Sequence, residues 1–147
     1  MSEREKRILV VDDDSAIRAL LFTVLRRREY LVDTARDGVE AVEMLDRCVY
    51  ALLLLDLMMP RRSGWEVIDH LAGRPPEQRP LIIVLTAGTE PRSFTPGMVA
   101  LTVRKPFDIE LLVDTVTACL NTIEDHEQAG DCPEPESRLP GRPNDPN

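Results

Sequence analysis

No apolar stretch in this sequence approaches the ~20 residues that a membrane-spanning helix requires, so insertion into a bilayer is not expected. The segment before Ile8 is polar and lacks the apolar core of a secretory signal, which points to a cytoplasmic protein. Cysteine is scarce. Cys48, Cys119 and Cys132 are scattered, and offer neither a metal-binding spacing nor an even disulfide framework. Cys48 and Cys119 fall in helical patterns and are expected as small core or boundary residues. No internal repeat is present. A surplus of basic charge is missing too. Residues 124–147 hold seven acids against two bases, net −5, and the other 123 residues hold nineteen acids and sixteen bases, net −3. A mildly acidic folded part speaks against a nucleic-acid surface of its own.

The chain does have short apolar runs that stop at polar residues. Ile8-Leu-Val-Val11 stops at Asp12-Asp13-Asp14, Ala51-Leu-Leu-Leu-Leu55 at Asp56, and Leu81-Ile-Ile-Val-Leu85 at Thr86. Runs without alternation suit strands covered on both faces, as in a parallel sheet. Tyr30–Ala35 and Leu101–Arg104 read as two further strands. Between them lie helical patterns: Ile17, Leu20, Leu21, Val24 and Leu25, with Asp14 or Ser15 as N-cap; Ala41, Val42 and Leu45; Trp65 to Leu71; and Ile109, Leu112, Val116, Leu120 and Ile123 after a cap at Asp108. The Arg26-Arg27-Arg28 cluster reads as a solvated helix end that suits the dipole.

Five strands alternating with helices make an α/β protein with a five-stranded parallel sheet and helices on both faces. The flavodoxin-like order 2-1-3-4-5 is the commonest arrangement. The helix due between strands 4 and 5 is expected to be short or missing, because Gly88, Pro91, Pro96 and Gly97 fall within ten residues. Residues 1–123 are expected to form the domain. Residues 124–147, with five prolines and an acidic surplus, are expected to be a disordered tail.

The 2-1-3-4-5 order brings Asp12, Asp13 and Asp56 together at the carboxyl edge of the sheet, where such folds bind ligands. Three carboxylates in one crevice repel one another unless a cation joins them, and oxygen-only ligands favour a hard ion such as Mg2+. Thr86 and Lys105 end strands 4 and 5 on the same edge. Acids, metal, ammonium and hydroxyl together suit phosphoryl chemistry, with a carboxylate as nucleophile.

From residue 7 to about 123 the chain resembles a bacterial response-regulator receiver domain. The matching pieces are Val-Val-Asp12-Asp13, Ala35-Arg-Asp37-Gly38, Asp56 with Pro60 and Gly64, Val-Leu-Thr86-Ala87 and Lys105-Pro106-Phe107. The resemblance implies a phosphoacceptor of a two-component phosphorelay that signals by protein contact. Asp56 would be phosphorylated by a histidine kinase or phosphotransfer protein. Asp12, Asp13, Asp56 and the Met58 carbonyl would hold Mg2+, and Thr86 and Lys105 would contact the phosphoryl oxygens. Such a protein is not an enzyme beyond phosphorylating and dephosphorylating itself. In the family, the side chains two positions after the phosphorylated aspartate and after the threonine influence the attacking water. Here these are Met58 and Gly88.

The chain departs from the family pattern on one side. The interval from Thr86 to Lys105 is short, and Thr102 stands where the family's switch carries an aromatic ring. The segment Gly88–Gly97 therefore reads in two ways, as the output element in place of a helix face or as a merely shortened connection. Two other readings compete. Val-Asp12-Asp13-Asp14 also fits the start of a haloacid-dehalogenase-like phosphohydrolase, whose nucleophile would be Asp12. A receiver fold can also serve as a scaffold that is never phosphorylated.

Overall fold

The structure is a computed structural model that describes residues 6–59, 61–88 and 97–122. Five strands, β1 (Arg7–Val11), β2 (Leu31–Ala35), β3 (Leu52–Asp56), β4 (Leu81–Thr86) and β5 (Leu101–Arg104), form one parallel sheet in the order β2-β1-β3-β4-β5. Four α-helices accompany them among the described residues: α1 (Ser15–Arg27), α2 (Gly38–Arg47), α3 (Gly64–Ala72) and α4 (Ile109–Asn121). The segment between β4 and β5, where a helix was expected to be short or missing, lies largely outside the described residues, and so does the tail.

Each apolar run divides its side chains between two cores. Leu9 and Val11, Leu53 and Leu55, and Ile82 and Val84 face one cluster with α2 and α3. Ile8 and Val10, Leu52 and Leu54, and Ile83 and Leu85 face the other with α1 and α4. This alternation across a sheet covered on both faces is why β3 and β4 carry no polar residue before their ends, and β1 none after Arg7. Each fully buried aliphatic side chain contributes about 1.5–3 kcal/mol from burial alone. β5 is different: it is the sheet's edge, and Leu101, Thr102 and Arg104 on it are exposed.

The helices start where short polar side chains catch free amides. Asp14 accepts from Ala16 and Ile17, Asp37 from Glu40, Ser63 from Glu66, and Asp108 from Glu110 and Leu111. In the sequence Asp37 stands out only as part of Ala35-Arg-Asp37-Gly38. On α1, Leu21 and Leu25 are buried as the helical spacing predicts, whereas Leu20 is 48% exposed. At 100° per residue Leu20 stands one position off the stripe that Leu21 and Leu25 define. Cys48 lies in the α2–α3 core and Cys119 at the margin of the other, as expected.

Candidate phosphoacceptor site

Asp12 follows β1 directly and Asp56 ends β3, the two strands that meet at the switch point of the order. Both are deeply buried: Asp12 is 0% and Asp56 4% exposed, while Asp13 faces solvent. One oxygen from each of Asp12, Asp13 and Asp56 can be chosen so that all three lie within 4.8 Å of one another. Lys105, just past β5, extends its ammonium between the two buried carboxylates, 3.1 Å from Asp12 Oδ2 and 3.5 Å from Asp56 Oδ2.

The loops hold this arrangement through backbone amides. Asp12 Oδ1 accepts from the Asp14 amide at 2.9 Å, and Asp56 Oδ1 from the Met58 amide at 3.2 Å. Past Asp56 the chain turns back, and the Gly64 amide donates to the Leu57 carbonyl at 3.0 Å. A Cβ on Gly64 would stand 2.6 Å from the Asp56 carbonyl oxygen, so α3 begins this close to β3 only because its first residue is glycine. The Met58 side chain is 69% exposed beside the site. Thr86 is buried at the end of β4, and its hydroxyl is taken up by its own turn: it donates to the Gly88 carbonyl at 3.1 Å and accepts from the Gly88 amide at 3.3 Å.

Sequence reasoning missed Arg18. Its guanidinium reaches back from α1 and donates to the Asp12 carbonyl at 2.7 Å, bracing the acidic loop. The available signal was its place in the second turn of a helix capped by Asp14.

The charge balance is unequal, with three carboxylates against one ammonium. Burial, followed by the charge of Asp12, pushes the Asp56 carboxyl up to about 7, against the opposing pull of Lys105 and the Met58 amide. Burial alone would lower the Lys105 pKa, but Asp12 and Asp56 outweigh it, so the ammonium is raised and stays charged. A carboxyl poised near neutrality within an oxygen-only cluster suits a hard divalent cation, and the donor set fits Mg2+.

A doubly wound parallel sheet with three acids at its switch point and a lysine across from them is suited to phosphoryl chemistry. Residues 8–117 match the response regulator receiver domain family. The chain belongs to that family, the receiver domains of two-component response regulators, in which the phosphoacceptor role is standard. It is 41% identical over 119 residues to the transcriptional regulatory protein ResD of Bacillus subtilis, covering 79% of this chain and 48% of that protein. It is 40% identical over 128 residues to the response regulator MprA of Mycobacterium ulcerans, covering 84% of this chain and 54% of that one. The chain thus spans about half the length of the curated relatives it matches. Among solved structures it resembles the response regulator TrrA of Thermotoga maritima in complex with Mg(2+)-BeF, with a TM-score of 0.68 and 36% identity over 78% of this chain and 98% of that one. Among the described residues, no helix is long and apolar enough to cross a membrane.

Proposed function

We propose that Asp56 accepts a phosphoryl group from a phosphohistidine on a histidine kinase or phosphotransfer protein, with Mg2+ held by Asp12, Asp13, Asp56 and the Met58 carbonyl. The observation that supports this most is Lys105 Nζ, 3.1 Å from Asp12 and 3.5 Å from Asp56 at a buried, acid-rich sheet edge. The Mg(2+)-BeF complex of TrrA adds support for the metal. An Asp56 carboxylate oxygen attacks phosphorus, the new P–O bond forms as the P–N bond breaks, and the electron pair leaves with the imidazole. Only the ionised carboxylate attacks. With its pKa raised to about 7 by burial and then by Asp12, Asp56 holds its proton more tightly than an ordinary carboxyl until further positive charge arrives. Bound Mg2+ would supply that charge and neutralise phosphoryl oxygens. Lys105 offers a fixed ammonium to the same oxygens, and Thr86 adds a hydroxyl once it turns from Gly88.

The unit that does this is residues 1–123, with 124–147 as an acidic tail, and output passes by protein contact. Its chemistry is confined to gaining and losing its own phosphoryl group. The test is mass spectrometry after treatment with phosphoramidate and Mg2+. One phosphoryl adduct mapping to Asp56, and lost in Asp56→Asn, is expected. An adduct on Asp12 would overturn the reading in favour of a phosphohydrolase, and no adduct would favour an unphosphorylated scaffold.

A further inference from the structure

The motif Ala35-Arg36-Asp37-Gly38 lies outside the acid cluster, yet it touches the loop that follows Asp56. Asp37 is buried and uses its two carboxylate oxygens for separate tasks. Oδ1 accepts from the Glu40 amide at 2.9 Å and caps α2. Oδ2 pairs with Arg61 at 3.1 Å. Arg61 has φ of 69°, the left-handed region that a residue with a Cβ rarely adopts. The next residue of the turn meets the next residue of the loop: a Cβ on Gly38 would stand 2.2 Å from the Arg62 carbonyl oxygen and 2.5 Å from Arg62 Cβ. Arg62 in turn reaches Glu66 on α3 at 3.4 Å. At its other end, the same loop gives the Met58 amide to Asp56.

We propose that the β2–α2 turn is a positioning device for the phosphorylation loop: Asp37 holds Arg61, Gly38 admits Arg62, and together they set the backbone that runs on from Asp56 and Met58. The proposal rests on the reading of Asp56 and Met58 as phosphoacceptor and metal ligand. Asp37, Gly38 and Arg61 are positioning residues, since they touch neither substrate nor metal. An ion pair that holds an unfavourable φ in place acts on the loop's geometry, and the metal shell needs that geometry because one of its ligands is a backbone carbonyl.

Two variants separate this role from a merely structural one. Asp37→Asn keeps a good N-cap but loses the ion pair. Arg61→Gly loses the ion pair but accepts the left-handed backbone freely. The full chain is titrated with MgCl2 and followed through the fluorescence of Trp65, its one tryptophan, on the second residue of α3. Amide exchange over residues 57–63 is measured in parallel in EDTA. Each variant is expected to weaken Mg2+ binding roughly two- to fivefold and to speed exchange in the loop. Arg61→Lys should hold both near wild type, and Arg61→Gly should not lower the metal-free melting temperature. Unchanged affinity and exchange in both variants would overturn the proposal, as would losses that merely track a fall in melting temperature. A wild-type protein with no Mg2+ response would instead overturn the phosphoacceptor reading. Exchange in EDTA would then still decide whether the turn holds the loop.

Discussion

Two sites with buried carboxylates, Asp33 alone in one and Asp12 and Asp56 with exposed Asp13 in the other, lie along the seam of β1 and its neighbours, and they are built in opposite ways. Asp33, in the middle of β2, accepts from Arg7 at 3.2 Å and from the Tyr50 hydroxyl at 2.7 Å. One acid there meets one base and one phenol. At the carboxyl edge, Asp12, Asp13 and Asp56 share a single ammonium. In the first group Arg7 balances the charge of Asp33, although Asp33 Oδ1 is buried without a hydrogen-bond partner, whereas the second keeps an excess of negative charge, with Lys105 the one cation paired to its carboxylates among the described residues. Burial is common to Asp33, Asp12 and Asp56, so it does not by itself mark a functional acid. The imbalance does.

The same substitution should therefore have opposite signs in the two groups. Asp33→Asn removes the anionic acceptor that Arg7 and Tyr50 share, and should destabilise the fold by about 2–4 kcal/mol. Urea denaturation in EDTA measures this, and Mg2+ binding should be unaffected. A loss below about 0.5 kcal/mol, the range of ordinary surface changes, would show that the Asp33 group is no more than tolerated.

Metal gives the next effect in size. Mg2+ at 100 times its dissociation constant should stabilise the wild type by about 2.7 kcal/mol. Asp13→Ala should abolish that gain while raising metal-free stability slightly, because one of three like charges has gone. A full Mg2+-dependent rise in the melting temperature of the variant would remove Asp13 from the metal shell.

Asp56→Asn should stabilise the metal-free protein. The folded carboxyl sits at about 7, raised by burial and then by Asp12, against ~3.9 in an unfolded chain. The folded state thus binds this proton more tightly. Its contribution to stability is fully present below about pH 4 and is lost as pH rises through about 7. At pH 8 the amide should be more stable than the carboxylate by on the order of 1–2 kcal/mol, a figure reduced for screening by water and Lys105. Thermal melts in EDTA from pH 4 to 8 should show a decline in wild type that is flattened in Asp56→Asn. Parallel profiles would mean that the charge of Asp56 is already answered, as that of Asp33 is.

The two groups also differ in how they could be read from sequence. Asp12, Asp56, Thr86 and Lys105 each end an apolar run or follow a strand, and parallel pairing brings all such ends to one edge. Their meeting followed from strand order alone. Asp33 sits inside a strand between Val32 and Thr34, and its partners lie 26 and 17 residues away with no pattern to announce them. Asp37 was legible only as part of the motif Ala35-Arg-Asp37-Gly38, and its hold on Arg61 depends on a loop conformation that neither periodicity nor spacing encodes. The exposure of Leu20 was hidden for a similar reason, since a helix period fixes a stripe only to within one residue. Whether Gly88–Gly97 carries the output or is merely a shortened connection falls mostly outside the described residues. What the structure adds on that side is an exposed Thr102 on β5 and a Thr86 hydroxyl occupied by Gly88.

The smallest effect on stability should come from Met58, at the open mouth of the acidic group. Its side chain is 69% exposed and offers water neither a carboxylate nor an amide. Only its backbone amide engages Asp56. Met58→Asn leaves that amide in place, so stability should change by less than about 0.5 kcal/mol. The phosphoryl group on Asp56 would then face a side chain able to orient a water for attack at phosphorus. Orientation without general-base catalysis is a modest gain, so hydrolysis should quicken by roughly three- to tenfold. The measurement is the decay of radiolabelled phosphoprotein after removal of donor, at constant Mg2+. An unchanged decay would assign water access to the metal and the Thr86 turn. A faster decay accompanied by a lower melting temperature would mean that the substitution disturbed the loop held by Asp37 and Gly38. Faster decay with stability intact would separate the chemistry of the acidic group from the packing that supports it.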